Sequence, residues 1–115
     1  MYIILWEFEA APERIEGFLS TYSSHGEWAQ LFRQAPGYLG TELLESCEAA
    51  TRFHTIDRWA HEDDYEDFKL RFAQPYAALD ARCQGLTLSE RKLGAFQLPT
   101  LLPPAPAAPV RWQPR

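Results

Sequence analysis

The chain opens on an apolar run. Residues 2–10 (YIILWEFEA) are β-branched and aromatic, with glutamates only at 7 and 9, and they predict a buried strand. Pro12 then stands where the first turn of a helix tolerates proline, with Glu13 beside it. Ile15, Phe18, Leu19 and Tyr22 recur at helical spacing and form one stripe. Ser23, Ser24 and Gly26 interrupt that helix. Trp28, Leu31 and Phe32 resume an apolar face, and Pro36-Gly37 ends it. Residues 38–46 (YLGTELLES) predict a second strand and residues 52–60 (RFHTIDRWA) a third; the short gap makes them an antiparallel hairpin. Glu62, Asp63 and Asp64 place negative charge at the positive end of a second helix. Along it Tyr65, Phe68, Phe72, Tyr76 and Leu79 follow at spacings of three and four, and Pro75 is expected to bend or divide it. Residues 86–91 read as a short connector or a single helical turn, and residues 92–98 (KLGAFQL) as a short fourth strand.

The order β-α-β-β-α-β is the split βαβ arrangement, an α+β, ferredoxin-like fold. Right-handed crossovers put both helices on one face of a four-stranded antiparallel sheet and leave the other face bare. Yet the first strand is apolar on both sides, with Tyr2, Ile4, Trp6 and Phe8 on one and Ile3 and Leu5 on the other. Strict alternation in the second strand puts Leu39 and Leu43 on one side, Tyr38 and Leu44 on the other. A second apolar face needs a cover, and a second copy of the sheet supplies it. A homodimer with sheets packed face to face is therefore expected. Residues 1–98 form the domain. Residues 99–115 form a proline-rich tail that holds six of the nine prolines and has no core of its own. The tail is either solvated or runs across the partner subunit on Leu101, Leu102, Val110 and Trp112.

Composition narrows the partners. The chain has 115 residues, 46% hydrophobic and 14% aromatic, enough for one domain with a real core. Its net charge is −5, and the tail holds two arginines and no acid, so residues 1–98 carry −7. Such a surface argues against nucleic acid and anionic membrane, because phosphate binding runs on excess Lys and Arg. No apolar run reaches a membrane span of about 20 residues. The apolar N-terminus lacks a basic flank and is interrupted by Glu7, so it reads as a strand and not as a signal peptide. Two cysteines make no disulfide scaffold, and a reduced, cytoplasmic protein is expected.

Candidate chemistry is sparse. His25, His54 and His61 have no zinc-ligand spacing and Cys47 and Cys83 add none, so no metal site is expected. The acidic run at residues 62–67 reads as a solvated helix end. No glycine fingerprint, phosphate loop or nucleophile elbow occurs, and no cofactor is expected; a flavin needs no such fingerprint in a barrel of this type. His54 and Asp57 point to opposite faces of the third strand, whereas Asp57 and Trp59 share one. Asp57 either takes a proton from a phenolic substrate, if burial raises its pKa, or pairs with an arginine or caps a helix. Trp59 either stacks on a flat aromatic ligand or caps the core. His25, Glu27 and Trp28 sit at the helix break, which is either the mouth of a pocket or a kink filled by an aromatic.

Ala35-Pro36-Gly37-Tyr38 entering the second strand, Ile56-Asp57-Arg58-Trp59 ending the third, Phe68 onward, and Leu79-Asp80 before Leu86-Thr87 resemble the antibiotic biosynthesis monooxygenase family over about residues 1–98. The resemblance implies a dimeric α+β barrel. Family members include oxygenases that oxidise polycyclic aromatic molecules with dioxygen alone, others that degrade haem, and many with no assigned activity. The haem-degrading members carry a strand-one asparagine, a tryptophan near the third strand and an iron-binding histidine on the second helix. Here Trp59 matches, but the first strand offers Glu7 and Glu9, and residues 62–82 hold no histidine; Phe72 lies roughly where one is expected. Haem degradation is not expected. The cofactor-independent members use an asparagine, a tryptophan and a tyrosine, of which only the tryptophan has a clear counterpart.

The expected activity is oxygenation of a small aromatic or polyketide-like molecule. Asp57 or His54 would be the base, and Trp59, His25, Trp28 and Phe72 would hold the substrate. The alternatives are a small-molecule-binding dimer without turnover, such as a sensor or carrier, and a dimer whose tail binds a protein partner.

Overall fold

The computed structural model describes residues 1–99. Its strands are β1 (Tyr2–Ala10), β2 (Tyr38–Glu45), β3 (Arg52–Trp59) and β4 (Thr87–Gln97). Its helices are α1 (Ile15–Tyr22), α2 (Glu27–Phe32), α3 (Glu62–Arg71) and α4 (Ala73–Arg82), with a 3-10 turn at Pro12–Arg14. The four strands form one antiparallel sheet in the order β2-β3-β1-β4, the ferredoxin-like topology. β1, apolar on both faces, lies inside the sheet, where both of its edges are paired.

One face of the sheet carries Ile4, Phe8 and Ala10 from β1 and Phe53, Thr55, Asp57 and Trp59 from β3, all buried under the helices. Phe18 and Tyr22 of α1 stack at 4.6 Å and meet Phe8 and Phe53. Phe32 of α2 and Phe68 of α3 close over Trp59 at ring separations of 5.4–5.7 Å. Such tilted and edge-on pairs add about 0.5–1.5 kcal/mol each to the gain from burial.

The break between α1 and α2 has a steric cause. A Cβ on Gly26 would lie 2.5 Å from the Thr21 carbonyl oxygen, so only glycine lets α2 turn back this tightly. At the entry to β2, Gly37 has φ +86° and its hydrogen atom faces the Asp64 side chain. Its carbonyl accepts the Ala60 N–H at 2.7 Å, which ties the β2 entry to the β3 exit.

Four sequence expectations need correction. The second helix divides at Phe72 and not at Pro75. Pro75 falls in the first turn of α4, where its missing N–H leaves no intrahelical bond unmade. The fourth strand starts at Thr87, so residues 87–91 are strand and not connector. They pair with β1 through Glu7, Phe8 and Glu9, and Arg91 donates to Glu7 at 2.7 Å. In β2, Leu39 and Gly40 form an irregularity, with Tyr38 opposite Trp59 but Gly40 opposite Arg58. The extra residue breaks the alternation, so Tyr38, Thr41 and Leu43 share the helix side and Leu44 faces away. Finally, the uncovered face is only partly apolar. Ile3, Leu5, Ile56 and Phe96 lie beside Glu7, Glu9, Arg52, His54 and Arg91, where Arg52 pairs with Glu9, Arg91 with Glu7, and His54 lies 3.3 Å from Glu7. The anchoring residues expected in the tail lie outside the described residues.

Candidate active site

A cleft of about 580 Å³, its open mouth included, lies between the helix-covered face of the sheet and the helices. The sheet supplies Trp6, Phe8, Thr41, Thr55, Asp57 and Glu90; the helices supply Tyr22, Trp28, Phe32, Tyr65, Tyr76 and Asp80. Seven of these twelve residues are aromatic. Flat rings in most of the wall favour a flat, apolar guest over a sugar or a peptide.

Asp57 is the polar centre. It is 8% exposed, and its Oδ1 accepts a 2.6 Å hydrogen bond from the Thr41 hydroxyl. That hydroxyl in turn accepts one from Tyr38 at 2.7 Å. Cross-strand register makes the chain possible: Thr41 stands opposite Asp57, and Tyr38 stands on the same side beyond the irregularity. Oδ2 has no hydrogen-bond donor among the described residues. Burial pushes the Asp57 carboxyl up from its ordinary 3.8 to about 6, while the Thr41 bond favours the charged form and holds the rise back. Among the described residues, no arginine, lysine or histidine lines the cleft. The carboxyl is thus poised to exchange a proton near neutral pH, beside a pocket able to hold a flat guest.

The tyrosines and the cysteine around the cleft are poorly suited to act as bases. Burial drives the Tyr22, Tyr65 and Tyr76 hydroxyls upward, and Cys83 or nearby acids add to each rise. They stay neutral phenols. Burial also pushes the Cys83 thiol up, so it stays protonated and inert. Asp80 of α4 and Glu90 of β4 stand at the rim, where a polar groove along residues 83–90 adjoins the cleft. Partial burial, then the charge of Asp80, raises the Glu90 carboxyl. Among the described residues, no three His, Cys, Asp or Glu side chains converge as metal donors.

The structure brings together two of the six residues expected from sequence. Asp57 and Trp28 both line the cleft. Trp59 shares the Asp57 face but lies behind the wall, fully buried among Phe32, Tyr38, Tyr65 and Phe68. Its indole N–H has no partner there. Phe72 is half-buried and stacks on Phe68 at 5.4 Å, outside the cleft. His25 is exposed in the turn between α1 and α2, 3.1 Å from the Arg33 guanidinium. His54 lies on the opposite face of the sheet, 3.3 Å from Glu7. It cannot reach a guest held beside Asp57, because the sheet separates them.

Sequence reasoning missed Thr41, Tyr38, Thr55, Asp80 and Glu90. Thr55 had a signal, since it stands two residues before Asp57 and so shares its face. Thr41 and Tyr38 had none, because their side depends on the irregularity at Leu39-Gly40. Glu90 was hidden by reading its segment as a connector.

Residues 1–70 match the family model for antibiotic biosynthesis monooxygenases. No curated protein matches the sequence. Among solved structures, an asparagine-to-alanine mutant of SnoaB, a cofactor-independent oxygenase from Streptomyces nogalater, is 20% identical with a TM-score of 0.65, over 89% of this chain and 96% of that one. A Deinococcus radiodurans protein assigned as an antibiotic biosynthesis monooxygenase is 16% identical with a TM-score of 0.69, over the same shares. One from Bordetella bronchiseptica is 18% identical with a TM-score of 0.65, over 86% of this chain and 97% of that one. At these identities the likeness establishes a shared fold, and the family match covers well over half of the chain. Strand order, helix-covered cleft and sequence match agree, and the chain belongs to the antibiotic biosynthesis monooxygenase family.

Proposed function

We propose that this chain oxygenates a small aromatic or polyketide-like molecule with dioxygen and no bound cofactor, using Asp57 as general base. The observation that carries the reading is the Asp57 carboxyl, buried inside an aromatic cleft with one oxygen held by Thr41 and the other without a side-chain donor among the described residues. A carrier needs the rings but no titratable group among them, so Asp57 favours turnover over storage.

In the proposed reaction the ionised Asp57 removes a proton from a phenol or from the CH₂ group of its keto tautomer. The substrate anion passes one electron to dioxygen, and the two radicals join as a carbon–oxygen bond. The protonated Asp57 returns its proton to the peroxide. The O–O bond then breaks, one oxygen stays as a carbonyl, and the other leaves as water. In sum, CH₂ plus O₂ gives C=O plus H₂O, with no external reductant. The aromatic wall keeps water from the reactive anion, and Thr41, fixed by Tyr38, orients the carboxyl.

The test is turnover of naphthols and anthrones under isotopically labelled dioxygen. One labelled oxygen atom is expected in the quinonoid product, and Asp57→Asn is expected to lose about 10²-fold or more in rate. Unlabelled product, or an unimpaired Asp57→Asn variant, would overturn the assignment.

The proposal includes a homodimer. The helices cover one face of the sheet, and Leu5, Ile56 and Phe96 on the other give a second copy something to bury.

A further inference from the structure

We propose that the molecule bound in the cleft is an aromatic amine in its protonated form, with its ring system between the aromatic walls and its ammonium group at the rim between Asp80 and Glu90. The inference rests on the reading of the cleft as the substrate site and adds the charge of the substrate to it.

The first argument is charge. Asp57, Asp80 and Glu90 all line the cleft, and among the described residues no cationic side chain does. None of the three has an ion-pair partner among the described residues. The nearby cations are committed or turned away. Arg82 pairs with Glu27 at 3.7 Å, and Arg91 with Glu7 on the opposite face. Lys92 shares the Glu90 side of β4, but it is exposed and lines no part of the cleft. Among the described residues, an anionic guest would meet three carboxylates and no counter-charge.

The second argument is the cavity itself. Asp57 is more than nine-tenths buried, and its Oδ2 has no donor among the described residues, so it is the oxygen left to accept from a guest in the cleft. The Trp28 indole N–H lies against the Tyr22 hydroxyl and the Cys83 thiol and makes no demand on the guest. A phenol or enol supplies the donor that Oδ2 can accept. The rim adds a second requirement. Tyr76 sits edge-on to Trp28 at 5.0 Å, and the charges of Asp80 and Glu90 both act on its hydroxyl. An aromatic wall with carboxylates at its edge suits an ammonium group.

The third argument is mechanistic. Removal of a proton by Asp57 creates a substrate anion beside the two rim carboxylates. A fixed ammonium on the same molecule offsets that charge through a low-dielectric space. The rim pair then belongs to the reaction's electrostatics as well as to binding.

The experiment compares three probes with one ring system: naphthylmethylamine, naphthylmethanol and naphthoate. Binding to the full chain is read by tryptophan fluorescence, since Trp6 and Trp28 line the cleft. In the wild type the amine is expected to bind about ten-fold or more tighter than the alcohol, a margin in the range of a cation held by rings and carboxylates. Naphthoate is expected to bind weakest. In the Asp80→Asn, Glu90→Gln double variant, both at the rim and checked for folding by circular dichroism, the amine-to-alcohol ratio is expected to fall to about two or less. Equal binding of amine and alcohol in the wild type overturns the inference while leaving the cleft as a site. Survival of the amine preference in the double variant overturns the rim assignment. Failure of all three probes to bind overturns both this inference and the substrate-site reading beneath it.

Discussion

A carboxyl that is 8% exposed among aromatic rings, with one hydroxyl donor for its two oxygens, resists ionisation. The Asp57 pKa therefore moves up, from 3.8 to about 6. The folded chain holds this proton more tightly than the unfolded chain does. Its contribution to stability is complete below about pH 4 and is lost as pH rises through about 6. Above that, a buried charge works against the fold by an amount on the order of 3 kcal/mol at most. Asp57→Asn should therefore raise the urea midpoint at neutral pH, and the gain should vanish near pH 4, even as turnover collapses. Thr41→Val tests the neighbouring bond. It keeps the volume but removes the donor that favours the carboxylate, so the apparent pKa of the pH–rate profile should rise above the wild-type value. The pairing of Asp57 with Trp59 on one face was legible from a spacing of two. Which face held the cleft was not, because both faces of β1 are apolar and the sequence does not mark which one the helices cover.

The break between α1 and α2 brings Tyr22 and Trp28 together in the cleft wall, with ring centroids 6.4 Å apart. Gly26 makes it possible, since a Cβ there would press on the Thr21 and Ser20 carbonyls at 2.5 and 2.7 Å. Gly26→Ala should lower stability by about 1–3 kcal/mol, read by thermal or urea unfolding, and should weaken probe binding by displacing Trp28. The helix break was readable because serines and glycine interrupt an apolar stripe. The start of β4 was not. Residues 87–91 (TLSER) lack an apolar alternation of their own, and their strand form comes from partners on β1, a long-range contact no local pattern reports. The Leu39-Gly40 irregularity was hidden for a related reason: alternation assumes an unbroken ladder, and one extra residue reverses every side that follows or precedes it.

At the scale of the whole molecule the sheet divides labour. Its helix-covered face carries the aromatic cleft with Asp57, and its other face carries apolar side chains beside a chain of charged residues. Ile56, opposite Leu5 and Glu42, sits amid that second face. Ile56→Arg should shift sedimentation from dimer to monomer while leaving the cleft side chains in place, because the sheet lies between them. The expectation of a second copy came from reading β1 as apolar on both sides, and that reading matches the strand as placed. The charged half of the face was visible as Glu7, Glu9, Arg52 and His54 but went unread, because only register shows that these residues meet.

The account stands on Asp57 acting as the base in an aromatic cleft. The most direct measurement is the pH dependence of kcat/KM for dioxygen consumption with an accepted phenol or enol, in wild type and Asp57→Asn. The wild-type value should climb through an apparent pKa near about 6 to a plateau, as the carboxylate forms, and the variant should be flat and at least about 10²-fold lower. A wild-type profile without a rise between about pH 5 and 7, or an Asp57→Asn variant that keeps the wild-type rate, would contradict it.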